Sequence, residues 1–235
     1  MRRLAVNTFL TLDGVMQAPG GPDEDPTGGF THGGWSVRYW DDLMNQVMGE
    51  SLAKPFDLLL GRKTYEIFAA HWPNVIEEER ADRGGDASDI EDPAGDALNR
   101  ATKYVASRTL QKVEWVNSVL LEGDVAEAVA DLKAQDGPEI QVHGSANLMQ
   151  TLLQRNLIDE FRLWIFPVVV GQGKRLFSGG TVPAGLRLID AKTSSTGVVI
   201  ATYEPAGAIP YGSFAFEEPT EAELERRRGL GNETG

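Results

Sequence analysis

Three stretches of this chain share one pattern, an apolar strand that ends in a small or basic residue and continues into polar sequence or an amphipathic helix. They are residues 57–64, 103–109 and 139–145. In an open α/β sheet, the carboxyl ends of neighbouring strands form the ligand crevice, and helix N-termini there present free N–H groups to anions. The pattern therefore predicts an α/β protein with a binding crevice along one edge of its sheet.

Cations mark two of these junctions. Arg62 and Lys63 follow the first strand and Arg108 follows the second, although the formal net charge of the chain is −13. Cations at predicted strand ends in an acidic protein indicate a bound polyphosphate, and therefore a nucleotide cofactor. The same net charge argues against a nucleic-acid partner, because phosphate backbones bind to basic faces.

Length and composition limit the classes of protein that remain. The 235 residues, 41% of them hydrophobic, are enough for one sizeable core. The absence of cysteine excludes disulfides and thiolate chemistry. The chain contains no run of 18 apolar residues, so no membrane span is predicted. The N-terminus is predicted to be a first strand and not a signal peptide, so a cytoplasmic protein is expected. His32, His71 and His143 lack the spacing of metal ligands, so no metal site is predicted.

Hydrophobic periodicity predicts alternating strands and helices. Strands are expected at 3–11, 57–60, 103–106, 116–121 and 139–143, and helices at 36–53, 65–72, 124–135 and 146–157. Residues 13–34 form a long loop rich in Gly, Pro and Asp, which is typical of a binding loop or lid. The parallel-rich body should therefore carry a mobile or ligand-covering loop after its first strand.

The second half of the chain changes character. Residues 161–170 form an apolar strand with Pro167 inside it, which predicts a bulge or an edge position. Residues 186–194 and 197–203 predict an antiparallel hairpin. Two segments are predicted to stay outside the core: residues 77–97, with nine acids and two arginines, and the polar tail 205–235.

The motifs at the junctions are individually ambiguous. Gly61 allows close backbone approach, Thr64 can cap the following helix, and Arg62 and Lys63 can reach a phosphate; the alternative is a capped helix with two solvated cations. Ser145 is a good N-cap for the helix at 146–157, which any strand-to-helix turn can use. Each motif alone leaves both interpretations open.

In combination, the motifs resemble a known family. Leu12-Asp-Gly-Val15, Leu60-Gly-Arg-Lys-Thr-Tyr-Glu66, Val105-Ala-Ser-Arg108 and His143-Gly-Ser-Ala-Asn-Leu148 resemble dihydrofolate reductases. Residues 157–161 and 167–177 are similar to the branch that contains the C-terminal reductase domain of riboflavin-biosynthesis proteins and its stand-alone bacterial relatives. The resemblance implies a three-layer α/β fold over residues 1–204, with a mixed, mostly parallel sheet, a C-terminal antiparallel hairpin and a flexible tail at 205–235.

The resemblance also implies NADPH as cofactor. Matching the motifs residue by residue gives the expected cofactor-binding residues: Val15, Gly61, Arg62, Lys63, Thr64, Ser107, Arg108, Gly144, Ser145, Ala146 and Leu148. Members of the family reduce a pterin or a ribosylaminopyrimidine and commonly form homodimers. A small-molecule substrate and a homodimer are therefore expected.

The catalytic residue is less well marked. Dihydrofolate reductases place a carboxylate on the first helix, where this chain offers Asp41 and Asp42. Helical spacing puts Asp41 at the flank of the apolar stripe centred near Trp40, while Asp42 points away. Asp41 is therefore the candidate catalytic residue, with a solvated helix face as the alternative for both carboxylates.

Two functions from different classes follow from these observations. The first is an NADPH-dependent reductase that transfers hydride to a small heteroaromatic substrate, pterin-like or pyrimidine-like, or to a carbonyl substrate. The second is a nucleotide-binding module that uses the same crevice without turnover.

Overall fold

The computed structural model describes residues 1–75, 93–179, 181–214 and 218–230. Most of the acidic segment predicted as a solvated excursion, residues 77–97, lies outside the described residues. Eight strands are present in the described part of the chain: β1 Leu4–Thr11, β2 Phe56–Gly61, β3 Lys103–Ala106, β4 Ser118–Leu120, β5 Glu139–Val142, β6 Glu160–Phe166, β7 Leu186–Thr193 and β8 Val199–Pro205. The helices are α1 Asp42–Leu52, α2 Arg62–His71, α3 Pro93–Arg100, α4 Val125–Ala134, α5 Ala146–Gln154 and α6 Glu221–Leu230.

The strands form a single sheet in the order β4-β3-β2-β5-β1-β6-β8-β7. Pairing is parallel from β4 through to β6, and β8 runs antiparallel between β6 and β7. The carboxyl ends of β1, β2, β3 and β5 therefore open on the same edge. This arrangement confirms the predicted mixed, mostly parallel sheet with a C-terminal antiparallel hairpin.

Helices cover both faces of the sheet, and the alternation of side chains along β2 shows how. Leu59 packs into a cluster with Val129 of α4 and Leu152 of α5. Leu58 and Leu60 point the other way, into a cluster that includes Tyr65 of α2 and Leu98 of α3. Because successive residues of a strand face opposite sides, burying both faces requires a helical layer on each. The three-layer prediction is confirmed.

The predicted helix over 36–53 is wrong in its first part. Residues Val37–Tyr39 form one short 3₁₀ turn, Trp40 and Asp41 are extended, and α1 begins only at Asp42. The Asp41 carboxylate accepts a hydrogen bond from the Met44 amide at 3.0 Å, which makes Asp41 the N-cap of α1. Capping by a short acidic side chain starts a helix, and an N-cap has non-helical dihedrals. The apolar period alone could not locate this boundary.

The prediction for Pro167 also needs correction. Strand β6 ends at Phe166 and lies between β1 and β8, so Pro167 marks neither a bulge within a strand nor an edge strand. Proline lacks the N–H that a central strand needs for pairing. The apolar residues Val168–Val170 therefore continue as irregular chain beyond the sheet.

The chain after β8 begins with a short extension of the fold. Gly185 donates to the Gly207 carbonyl at 2.7 Å and accepts from the Ala206 amide at 2.8 Å. Helix α6 follows later and contains no buried residue. The division of the chain at residue 204 and the flexibility of the tail stay predictions. In the part of the chain that the structure describes, no helix is long and apolar enough to cross a bilayer.

Candidate functional site

A cleft of about 1230 Å³ opens where the strand ends meet. Its walls come from the residues that follow β2, β3 and β5, from the loop after β1, and from the inward sides of α1 and α2. All of the cofactor-binding residues predicted from the sequence line this cleft except Val15. The three junctions that are far apart in the sequence thus meet at one site.

A serine hydroxyl joins two of the junctions. The Oγ of Ser145 accepts a hydrogen bond from the Gly61 amide at 2.9 Å and lies 2.6 Å from the Oγ1 of Thr64. Contact is so close that a Cβ on Gly61 would lie 2.5 Å from that Oγ. Glycine at position 61 is therefore required by close approach, and the turn before α5 is fixed against the start of α2.

This contact corrects two predictions of helix capping. Ser145 occupies the N-cap position of α5, but it adopts φ 74° and its hydroxyl does not cap the helix. Thr64 lies inside α2, because that helix begins at Arg62 with Gly61 as its N-cap. Both hydroxyls are used for the contact between the junctions instead.

The helix starts at the cleft differ in how their N–H groups are satisfied. Neither α2 nor α5 has a side-chain cap. By contrast, the Asp124 carboxylate caps α4 by accepting from the Ala126 and Glu127 amides at 2.9 and 3.1 Å. Free N–H groups and the positive end of the helix dipole favour an anion. The adjoining starts of α2 and α5 form the part of the cleft suited to phosphate.

The three predicted cations surround this part of the cleft. Arg62 contacts Glu66 one turn along α2, at 3.3 Å between exposed side chains. Lys63 lies 3.5 Å from Asp25. Arg108 is exposed and makes no ion pair among the described residues. Exposed ion pairs contribute little to stability, so the guanidinium groups remain available to a phosphate.

Ser107, which precedes Arg108, organises its own turn. Its Oγ accepts from the Thr109 and Leu110 amides at 3.1 and 3.0 Å. This turn directs the chain away from the end of β3 and holds the Ser107–Arg108 segment on the cleft wall. The Oγ of Ser107 also lies 3.5 Å from the Oγ1 of Thr109.

The loop after β1 is ordered by polar contacts that the sequence did not reveal. The carboxylate of Asp25 contacts both Lys63 and Lys174. The side-chain amide of Gln17 donates to the Asp25 and Thr27 carbonyls, both at 2.9 Å. As a result, residues 16–25 form one wall of the cleft. Asp25 and Lys174 are 149 residues apart, and no local motif signals their pairing.

Val15 faces the interior below this wall. It is fully buried, in a cluster with Ala18 and Phe30, while the next residue, Met16, lines the cleft. The backbone at Val15 pairs with Arg175, which turns its side chain inward. A direct contact of Val15 with a cofactor stays an untested prediction.

The other end of the cleft is apolar. We call it the aromatic slot and define it by Phe9, Trp40, Met48, Leu52, Phe68 and Trp72. The rings of Phe9 and Trp40 are 5.8 Å apart, and both pack on Trp164, at 5.4 and 5.9 Å. Trp164 is anchored by a hydrogen bond of 3.0 Å from its indole nitrogen to Asn7 Oδ1. The floor of the slot is therefore a rigid aromatic cluster.

Asp41 is placed away from the cleft lining. One carboxylate oxygen caps α1, and the other accepts from the Ser195 amide and hydroxyl, both at 2.7 Å. Hydrogen bonds from Met44 and then Ser195 lower the pKa of this carboxylate. These contacts tie the start of α1 to the turn between β7 and β8. Asp41 as a proton donor remains an untested prediction, and the geometry favours a structural role.

Only one histidine, His143, lies in the three junctions predicted from the sequence. Its Nε2 lies 2.8 Å from the Gln141 side-chain oxygen, and its ring contacts Phe68. Burial, with the nearby positive charge of Arg162, lowers the pKa of His143 to about 4. The imidazole is therefore neutral at physiological pH and adds no charge to the cleft. Within the described ranges, no group of three or more potential ligands could hold a metal ion.

The family model of the RibD C-terminal domain matches residues 2–201. The chain belongs to the RibD C-terminal domain family. A curated relative is the uncharacterized protein YyaP of Bacillus subtilis (strain 168), 29% identical over 206 residues, which cover 86% of this chain and 94% of the relative. The family predicted from the sequence motifs is thereby confirmed.

Solved structures with the same fold include members of three named groups. A putative riboflavin biosynthesis protein from Shewanella sp. PV-4 matches with TM-score 0.53 and 19% identity, over 88% of this chain and 99% of that one. A pyrimidine reductase-like protein from Corynebacterium diphtheriae matches with TM-score 0.54 and 13% identity, over 87% and 92%. Dihydrofolate reductase from Enterococcus faecalis, complexed with NADP(H) and RAB-propyl, matches with TM-score 0.50 and 14% identity, over 86% and 96%. These likenesses establish the dihydrofolate reductase-like fold.

Proposed function

We propose that this protein is an NADPH-dependent reductase that transfers hydride to a small heteroaromatic or carbonyl substrate. The observation that carries the proposal is the juxtaposition of two uncapped helix starts, α2 and α5, fixed together by Ser145 and surrounded by Arg62, Lys63 and Arg108. Such a site suits the pyrophosphate and 2′-phosphate of NADPH. Membership of a reductase family supports the same assignment.

The remainder of the cleft suits hydride transfer. The aromatic slot continues from the phosphate end without a break in the lining, so a nicotinamide and a flat acceptor can lie side by side in it. Bound NADPH would supply the hydride. The contribution of the chain is to hold the two rings together and to exclude water from them.

The experiment is a titration of the protein with NADPH and NADH, followed by NADPH oxidation assays with pterin, pyrimidine, flavin and quinone acceptors. We expect tight binding of NADPH, weaker binding of NADH, and turnover with at least one acceptor. Binding of NADPH without turnover of any acceptor would favour the alternative function, a nucleotide-binding module. Absence of binding by both dinucleotides would refute the cofactor assignment.

We also propose that the protein forms a homodimer through β7. This strand lies at the end of the sheet, and all eight of its residues are exposed. Leu186, Leu188 and Ile189 are 39%, 54% and 46% exposed on it. An edge strand with exposed apolar side chains is a template for pairing with a second copy.

A further inference from the structure

The two ends of the cleft are chemically distinct, and α2 connects them. Its first turn carries Arg62 and Lys63, and its last turn leads to Trp72 of the aromatic slot. The ten residues of α2 span about 15 Å. A phosphate bound by the first turn and a ring held at the last turn therefore occupy separate places.

The slot offers almost nothing to an anionic group. Among the described lining residues from β1, α1, α3 and the second half of α2, His71 is the only one with a basic side chain, and it is exposed. The loop after β1 adds the carboxylates of Asp23 and Glu24 to the lining of the cleft as a whole. Placing a phosphate dianion among apolar side chains without a cation carries the desolvation penalty of a buried ion. The described residues of the slot therefore disfavour phosphorylated substrates.

The described elements of the slot also offer no carboxylate to an aminopyrimidine edge. Within the described lining, β1, α1, α2 and the 3₁₀ segment before α1 contribute no acidic side chain. Asp41, the residue expected to supply one, accepts from Met44 and Ser195 instead. These described elements therefore offer a ligand stacking and neutral hydrogen bonds.

Asn7 supplies one such hydrogen bond. It is 4% exposed and lines the cleft beneath Phe9 and Trp40. Because an indole N–H can only donate, Trp164 requires the amide oxygen of Asn7 as its acceptor, which leaves the Asn7 NH₂ group for another partner. No described residue accepts from that NH₂ group, and its nitrogen is not among the fully buried atoms that lack a partner, so it opens to the cleft. A donor that faces the cleft beside aromatic rings favours a ligand that brings an oxygen to it.

We propose that the substrate of this cleft is a neutral, planar aromatic carbonyl compound without a phosphate group, stacked in the aromatic slot with a carbonyl oxygen accepting from Asn7. This assignment rests on the proposed function, since it places NADPH at the starts of α2 and α5. It excludes phosphoribosyl pyrimidines as substrates and separates this chain from enzymes that hold a pterin through a carboxylate. Flavins and quinones have the required chemistry.

The test uses riboflavin and its 5′-phosphate, which share one ring system and differ by one phosphate. The protein is first saturated with NADP⁺, so that the phosphate end of the cleft is blocked. We expect riboflavin to bind at least about 10-fold more tightly than its 5′-phosphate. Equal or tighter binding of the phosphate, or no binding of riboflavin, would overturn the proposal.

Variants locate the ring and its carbonyl. Asn7→Asp keeps an oxygen for Trp164 and removes the NH₂ donor, so at pH 8 it should weaken riboflavin binding at least about 10-fold. Trp40→Leu should have a similar effect. Asn45→Asp makes the same chemical change at an exposed position of α1 outside the cleft lining, and it should leave riboflavin affinity within about twofold. Equal effects of Asn7→Asp and Asn45→Asp would also overturn the proposal.

Failure of the cofactor assignment can be told apart from failure of this inference. If the protein does not bind NADP⁺, the proposed function is refuted, and riboflavin is titrated into the free protein and its Asn7→Asp and Trp40→Leu variants. Weakening by both substitutions would then still support the slot as a site for a neutral aromatic carbonyl compound. Unchanged affinity in both would refute the slot as well.

Discussion

The hydroxyl of Ser145 lies 2.9 Å from the amide nitrogen of Gly61, across 84 residues of sequence. This single contact sets the distance between the starts of α2 and α5, because it joins the turn before one helix to the turn before the other. The phosphate end of the cleft depends on that distance, since a pyrophosphate must reach N–H groups of both helices. Gly61 and Ser145 therefore act as one unit.

A double-mutant cycle tests this unit. Gly61→Ala should destabilise the fold by about 1–3 kcal/mol, because the new Cβ would lie 2.5 Å from Ser145 Oγ and overpack the junction. Ser145→Gly alone should cost about 1 kcal/mol, through loss of the hydrogen bond, since glycine accepts φ 74° without strain. The double variant should be more stable than the sum of the two losses predicts. Strictly additive losses in denaturant unfolding would show that the two positions are independent.

The sequence supplied the components of this site but not their contacts. The rule that strand carboxyl ends form the crevice correctly brought Gly61, Arg108 and Gly144 to one cleft, because each follows a strand with a clear apolar run. The actual partners of Ser145 and Thr64 depend on which strands are neighbours, and β2 and β5 are adjacent only through the sheet order. The link between Asn7 and Trp164 spans 157 residues and likewise has no local signal.

The predicted element boundaries were wrong where a single residue ended a helix or strand that the apolar pattern would have continued. The apolar stripe from Trp40 to Ser51 predicted one long helix. Because Asp41 caps α1, the helix begins only at Asp42, and Trp40 lies before it and lines the cleft. Similarly, the apolar run through Pro167 favoured a long strand, although proline ends it at Phe166. Hydrophobic patterns identified the elements, whereas single residues, Asp41 and Pro167, set these two boundaries.

Cofactor preference is the second prediction. A charge-assisted hydrogen bond contributes about 1.5–3 kcal/mol, and about 1.4 kcal/mol is tenfold in affinity. One or two such bonds to the 2′-phosphate should favour NADPH over NADH by roughly 10- to 1,000-fold. Arg62→Ala or Arg108→Ala should remove much of this preference and leave NADH affinity nearly unchanged, as measured by fluorescence titration.

Added salt should weaken NADPH binding more than NADH binding, because the additional contact is between charges. Arg227→Ala provides a control, since this arginine lies on the exposed helix α6 and outside the cleft. It should alter neither affinity. Equal affinities of the wild type for the two dinucleotides would reassign Arg62, Lys63 and Arg108 as solvated residues at the helix starts.

Substitution of Asp41 tests whether this residue has a structural role or a catalytic one. Asp41→Asn should lower the melting temperature, because the Ser195 amide and hydroxyl would lose their carboxylate acceptor, and it should change turnover by less than about threefold, because Asp41 lies outside the cleft lining. Asparagine caps a helix as well as aspartate does, so the cap of α1 itself is kept. Ser195→Ala should produce part of the same destabilisation. A fall in turnover of about 100-fold with NADPH affinity retained would instead support Asp41 as the proton donor.

His143 should make the stability of the protein depend on pH. Burial lowers its pKa from 6.5 to about 4 in the folded state. Between these two values the unfolded chain binds a proton that the folded chain does not, so stability falls as pH decreases from about 6.5 to about 4. His143→Gln keeps a donor for the Gln141 side chain and removes the titration. In urea unfolding at pH 7 and pH 5, the wild type should lose more stability than the variant, and equal losses would contradict the lowered pKa of His143.

Dimerisation through β7 is the final prediction. Leu188 is 54% exposed on this edge strand, and Leu188→Lys places a charge where a second copy would pair. Natural edge strands carry lysine for this purpose, because the charge prevents association. Val119→Lys makes a matched change on β4, at the opposite edge of the sheet, where Val119 is 46% exposed. Light scattering coupled to size-exclusion chromatography should give a dimer for the wild type and for Val119→Lys, and a monomer for Leu188→Lys. A monomeric wild type would refute the homodimer, whereas a dimer disrupted only by Val119→Lys would move the interface to β4. Because α1 is tied through Asp41 to the turn between β7 and β8, a dimer through β7 would also support the wall of the cleft that carries Trp40 and Met48.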